Sequence, residues 1–349
     1  MSVIFLSLLP ILAVFHLVMW FGFTCTLFRP ETGDLKRLGY LVGLEDCKAK
    51  LQAEEPPNPV EKINPGGTTG PEQFHAVIFG DSFAASLTKA YRAQSGQTAR
   101  VIGLNWEEGN GVAQIESSLT DGWYHAHGVK TIVVERTEYA WLDTFAEEGE
   151  PPAARALFLN EDGASSATPT FYPKAQRWTF ANNGNYKVLF CNIAYLFSPT
   201  AFKLSNTGVV PLKKKFFNCS YGSKLLFYRG DAEGALTDRN QPRLEQALTH
   251  LKELSGLCHQ QGMKFYLIIP PVKSYLYYDW VDHPFYPDSK LLETLQARAT
   301  GFGYVDLKQL FHQKLADGYQ DLYYPDDSHW NYPTAQMAAN ELLRVENTP

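Results

Sequence analysis

The chain has 349 residues, 45% of them hydrophobic, a formal net charge of -6 and a pI near 5.9. That is enough apolar material for a substantial core, in one large domain or two smaller ones. The acidic balance excludes a nucleic-acid binder, which needs clustered Lys and Arg to release counterions.

Residues 3–28 are almost wholly apolar, interrupted by Pro10 and His16, with no charge until Arg29. At about 1.5 Å per residue a helix of that length crosses a hydrocarbon core of roughly 30 Å. Residues 1–28 are therefore expected to be an uncleaved transmembrane signal anchor. Residues 29–73 carry Glu54-Glu55-Pro56-Pro57-Asn58-Pro59 and Pro65-Gly66-Gly67-Thr68-Thr69-Gly70-Pro71. Such composition predicts a tether.

From His75 the pattern changes. Ala76–Phe79, Val101–Leu104, Thr131–Val134, Phe265–Ile269 and Tyr304–Leu307 are continuous apolar runs, as expected for strands covered on both faces. Between them Ser82–Ala93, Val112–Leu119, Leu244–Gln261 and Ser289–Ala299 have helical spacing. The alternation predicts an α/β domain over residues 74–349, a mostly parallel sheet with helices on both sides. Residues 141–235 break it, mixing Pro, Gly, Asn and aromatics, and predict a β-rich insertion with strands at 186–191 and 223–228. The one dense basic run, Lys213-Lys214-Lys215, lies there among Val209, Val210, Leu212, Phe216 and Phe217 and reads as an exposed turn. Of the five cysteines, Cys191 and Cys219 share the insertion. An extracytoplasmic domain would allow them to form a disulfide; the alternative is that they are free, buried and small.

Gly80-Asp81-Ser82-Phe83 directly follows the first apolar run, which puts a hydroxyl where a strand turns into a helix. A helix N-terminus offers free N–H groups to a developing oxyanion. A serine hydroxyl is a weak nucleophile and needs an imidazole to take its proton and a carboxylate to orient that imidazole. Both lie near the C-terminus, in Tyr323-Tyr324-Pro325-Asp326-Asp327-Ser328-His329-Trp330-Asn331. Ser82, His329 and either Asp327 or Asp326 form a candidate triad. The Ser82 N–H and the turn Gly109-Asn110-Gly111 are candidate oxyanion donors, since glycine permits close backbone approach. Arg136, after the third apolar run, is a candidate for an acceptor hydroxyl, a sugar carboxylate or the oxyanion; the alternative is a salt bridge with Glu135 or Glu138. No Cys-x-x-Cys spacing suggests zinc or redox chemistry.

These motifs resemble the SGNH (GDSL-type) hydrolase superfamily, whose signature is Gly-Asp-Ser early and Asp-x-His or Asp-x-x-His late. Thr131–Arg136, Ile268–Tyr277 and Asp327–Trp330 are also similar to segments of the SGNH-like domains of alginate and related envelope-polysaccharide O-acetyltransferases. The motif order differs from the alginate proteins, since Ser82 here precedes His329. The superfamily's Gly-x-Asn-Asp block has no counterpart after the strand at 131–134, where Arg136 stands. The resemblance implies a three-layer α/β/α fold and transfer of acetyl through acetyl-Ser82 to a polysaccharide hydroxyl. It implies a membrane-bound O-acyltransferase as donor, no cofactor and no metal. It also implies that Lys273 and Tyr275 line the cleft mouth and that Asp327 fits Asp-x-His-Trp while Asp326 fits Asp-x-x-His. The expected location is the cytoplasmic (inner) membrane, with the catalytic domain in the periplasm. Rival readings are a carbohydrate esterase with water as acceptor and a catalytically silent polysaccharide-binding subunit.

Overall fold

The computed structural model describes residues 10–18, 33–39, 41, 44–54, 73–103, 111–138, 140–146, 191, 206–233, 241–284 and 286–348. Five strands form one parallel sheet: β1 (Ala76–Gly80), β2 (Ala99–Gly103), β3 (Thr131–Glu135), β6 (Lys264–Ile268) and β7 (Gly303–Val305). Their spatial order is β2-β1-β3-β6-β7. A separate antiparallel hairpin, β4 (Thr207–Pro211) and β5 (Lys224–Tyr228), belongs to the insertion.

Each central strand feeds two cores. Ala76 and Ile78 of β1 face one of them, together with Val133, Ile268 and Val305. Val77 and Phe79 face the other, with Ile132, Val134, Phe265 and Leu267. Because both faces are covered, an alternating strand reads as an unbroken apolar run. The first core is closed by α3 (Ala84–Ser95), α11 (Leu307–Ala316) and α12 (Tyr332–Glu346), and by the β4–β5 hairpin. The second is closed by α4 (Gly111–Thr120), α5 (Trp123–Ala126), α6 (Trp141–Ala146), α8 (Gln241–Gln260) and α10 (Leu291–Arg298). The result is the three-layer α/β/α arrangement around a parallel sheet.

Three segments depart from expectation. Two short helices, α1 (Asp34–Gly39) and α2 (Cys47–Glu54), lie inside the stretch expected to be a tether. Leu35, Leu41 and Cys47 are buried in the first core, and Thr207 Oγ1 donates to the Leu35 carbonyl at 2.6 Å. Composition misled here because a few apolar side chains dock on a surface built by distant residues. Second, Trp141, Leu142 and Phe145 are buried against α8, so 141–146 belongs to the main body rather than to the insertion. Third, Cys191 is helical; the remainder of the strand expected at 186–191 lies outside the described residues, whereas the one expected at 223–228 is β5.

Of the expected membrane span, residues 10–18 are described and are helical, with Ile11, Leu12, Val14 and Val18 exposed. Among the described residues no helix is long and apolar enough to cross a membrane. Lys213, Lys214 and Lys215 are exposed in the β4–β5 connection, as the sequence predicts. Cys47, Cys191, Cys219 and Cys258 are buried, and no disulfide joins Cys191 to Cys219.

Strand order reverses at β1: β2 lies on one side and β3 on the other. Open α/β sheets bind ligands beyond the C-terminal ends of strands at such a reversal. Gly80 ends β1 there, and a methyl group on it would meet Glu135 Oε2 at 2.4 Å and the Ala84 Cβ at 2.6 Å. Gly80→Ala is therefore expected to lower unfolding free energy by about 1–3 kcal/mol, read as a shift of the urea midpoint.

Candidate active site

The turn between β1 and α3 is built by Asp81. Its Oδ1 accepts the Phe83 N–H at 3.1 Å and its carbonyl accepts the Ala84 N–H at 3.2 Å. Its own N–H donates to Glu135 Oε2 at 3.0 Å. Burial, and then the nearby Asp81 charge, push the Glu135 carboxyl well above its ordinary pKa, which favours the neutral acid. Ser82 is left exposed at the apex of the turn. Its N–H has no acceptor among the described residues, which suits an oxyanion donor.

His329 reaches the same point from the loop before α12. The loop is closed by a bridge between Tyr323 and Trp330, and the Tyr324 N–H donates to the His329 carbonyl at 3.0 Å. Trp330 Nε1 donates to Ser86 Oγ at 2.7 Å, which fastens the loop to α3. The Phe83 ring packs on the imidazole with 4.8 Å between centroids. His329 Nε2 lies 2.6 Å from Ser82 Oγ, and Nδ1 lies 2.6 Å from Asp327 Oδ1. A carboxylate at Nδ1 keeps the proton on that nitrogen and leaves Nε2 as acceptor.

The two adjacent aspartates divide sharply. Asp327 Oδ1 also accepts the His329 N–H at 3.0 Å, while Oδ2 accepts the Asp34 N–H at 3.0 Å and Lys48 Nζ at 2.6 Å. Burial would raise its pKa, but His329 and Lys48 outweigh that and hold it well below the usual carboxylate range. Asp326 points away. Its oxygens accept the N–H groups of Cys47 at 3.1 Å and Lys48 at 2.9 Å, so it caps the N-terminus of α2. Burial pushes its pKa up to about 6. The final helix α12 is capped instead by Asn331, whose side chain accepts the Thr334 N–H at 3.0 Å.

For His329, burial works against the imidazolium, and Asp327 and Asp34 outweigh it. The pKa is raised above its ordinary value of 6.5. Asp34 is a carboxylate that sequence reading missed. Its Oδ1 accepts the Ser328 N–H at 2.8 Å, its Oδ2 accepts the Ser328 hydroxyl, and Oδ2 lies 3.7 Å from His329 Nδ1. Neither Asp34 nor Lys48 sits in a motif, and nothing local announces that they meet residues 279 to 294 positions downstream.

Other expected residues are placed differently. Arg136 is buried, with Nε donating to Thr144 Oγ1 at 2.6 Å and Nη1 lying 3.9 Å from Asp81 Oδ2, so it braces the β1–α3 turn from behind. Lys273 is not at a cleft mouth. Its buried ammonium donates to the carbonyls of Tyr324, Pro325 and Asp327 at 2.6, 3.0 and 3.1 Å, and burial pushes its pKa down to about 8. Tyr275, also buried, donates to the Asp231 carbonyl at 2.7 Å and so holds α9 (Lys273–Leu276) to α7 (Arg229–Glu233). Both were expected to line the cleft mouth, and both are instead drawn inward because a polar group in the interior must find a partner. Gly109 lies outside the described residues, and Gly111 opens α4.

Residues 225–347 match the model of the ALGX family, described as the SGNH hydrolase-like domain of acetyltransferase AlgX. The chain resembles this family. A comparison with curated proteins finds no match. The matched stretch contains Asp327 and His329; Ser82 lies upstream of it. An SGNH-like domain in an α/β fold with a parallel sheet supports a related acetylation role and hydrolase or acyltransferase chemistry.

The division between the aspartates makes a prediction. Asp326→Ala is expected to cost about 1 kcal/mol of stability, as loss of a helix cap does, with the ester-cleaving rate retained. Asp327→Ala is expected to remove that rate. Urea denaturation and p-nitrophenyl acetate assays on the same preparations separate the two.

Proposed function

We propose that this chain is a membrane-anchored O-acetyltransferase that moves an acetyl group through acetyl-Ser82 to a hydroxyl of a cell-envelope polysaccharide. The observation that carries the proposal is the run of contacts Ser82 Oγ to His329 Nε2 and His329 Nδ1 to Asp327, 2.6 Å each. Ser82 Oγ attacks the carbonyl carbon of the acyl donor while its proton passes to His329 Nε2. The Ser82 N–H faces the oxyanion, and His329 then returns the proton to the leaving group. In the second half the acceptor hydroxyl attacks acetyl-Ser82, gives its proton to His329, and Ser82 Oγ leaves with that proton. Asp327 orients the imidazole and stabilises its charged form in both halves.

The match to an acetyltransferase family supports acetyl as the group transferred. The apolar stretch at 3–28 supports an anchor; the resemblance to envelope-polysaccharide O-acetyltransferases is the basis for a catalytic domain on the periplasmic face of the cytoplasmic membrane and for a membrane-bound O-acyltransferase as donor. With acetylated donor and candidate oligosaccharides, mass spectrometry is expected to find acetylated sugar with wild type and none with Ser82→Ala or His329→Ala. The rate is expected to fall by roughly 10⁴-fold or more in either variant. Acetate released without sugar acetylation would reassign the chain to the esterases.

His329 must be neutral to take the proton. Its raised pKa therefore places the acid limb of the kcat/KM profile above pH 6.5, with activity gained as pH rises through it. A limb at or below that value would contradict the carboxylate pairing.

A further inference from the structure

We propose that Asp34 and Lys48 are positioning residues for His329, so that the N-terminal segment 34–54 is part of the catalytic apparatus and not a spacer. This rests on the reading of Ser82, His329 and Asp327 as the reacting set. Asp34 and the Asp327–Ser328 pair clip each other reciprocally. The Asp34 N–H donates to Asp327 Oδ2, and the Asp34 carboxylate accepts both the N–H and the hydroxyl of Ser328, the residue between Asp327 and His329. Lys48 closes the far side of Asp327, so two of the four hydrogen bonds on that carboxylate come from this segment.

The segment is held for the purpose. The Leu35 N–H donates to the Asp326 carbonyl at 3.2 Å, and a methyl group on Gly33 would sit 2.1 Å from the same oxygen. At the other end Glu45 accepts the Ser220 N–H at 2.8 Å on its side chain and the Tyr221 hydroxyl at 3.2 Å on its carbonyl. Asp326 also caps α2, accepting the N–H groups of Cys47 and Lys48.

The charges have opposite effects on the imidazole. Facing it are Ser82 and Phe83 from the β1–α3 turn, Asp327 and Ser328 from its own loop, Asp34 from α1, and Lys48 from α2 across Asp327. Asp34 favours the imidazolium, whereas Lys48 opposes it and keeps Asp327 ionised. Burial, and then the neighbouring Asp327, push the Asp34 pKa above its ordinary value, and Lys48 offsets the negative charge of Asp327 beside the histidine.

The test uses the full-length protein with histidine isotopically labelled, the His329 resonance assigned through His329→Ala. Imidazole titration by NMR and the pH profile of p-nitrophenyl acetate cleavage are read side by side. Asp34→Asn is expected to move the His329 titration and the acid limb to lower pH, and Lys48→Met to higher pH. Both variants are expected to lose roughly tenfold in kcat with KM little changed, and Lys48→Arg is expected to recover most of the rate. Titrations that stay at the wild-type position, or that move the same way in both variants, would overturn the proposal. Should Asp34→Asn fail to fold by circular dichroism, Lys48→Met decides alone, its side chain being 24% exposed. A wild type with no Ser82-dependent rate would count against the proposed function, while opposed NMR shifts would still support the placing of the two charges.

Discussion

A carboxylate buried at 2% exposure stays ionised only where its lone pairs are filled, and Asp327 imposes that demand on its surroundings. Its own loop supplies two donors, the imidazole and N–H of His329; α2 supplies the Lys48 ammonium and α1 the Asp34 N–H. Removing any one leaves charge in the interior with less to hold it. Two chain segments far apart in sequence are joined by this single group. Lys273 answers a related demand from beneath, donating to three carbonyls of the same loop and so fixing the height at which His329 stands.

The sheet supplies the other half of the site. β1 and β3 run parallel with Ala76 opposite Thr131, which brings Gly80 and Glu135 together at the strand ends. Glu135 accepts the Asp81 N–H, and Arg136 stands behind Asp81. The turn that presents Ser82 is therefore braced from the neighbouring strand, on rigid elements rather than on a free loop. Trp330 and Phe83, edge to face at 5.0 Å, tie this turn to the histidine loop.

Much of the fold was legible because parallel strands buried on both faces leave a strong local signature. Ala76–Phe79 and Thr131–Val134 are unbroken apolar runs, and the helices between them carry regular spacing. The insertion was legible only at its edges: Trp141, Leu142 and Phe145 have helical spacing, yet their docking on α8 is a long-range matter. Lys273 and Tyr275 were misplaced for the same reason. The resemblance implied a cleft-lining lysine, and only the three carbonyls that solvate its ammonium show that Lys273 is turned inward.

By itself the sequence determined the alternating α/β order, the strand-to-helix setting of Ser82, and the presence of a histidine two residues after Asp327. These are local patterns of hydrophobicity, glycine and spacing, carried by neighbours in the chain. Only the tertiary structure decided which aspartate faces the imidazole, since Asp326 and Asp327 differ by one position and point to opposite tasks. It also decided that a Pro- and Gly-bearing stretch taken for a tether contributes Asp34 and Lys48 to the site. The reason is the same in both cases: a buried charge selects its partners by proximity in space, and sequence separation leaves no trace of that choice.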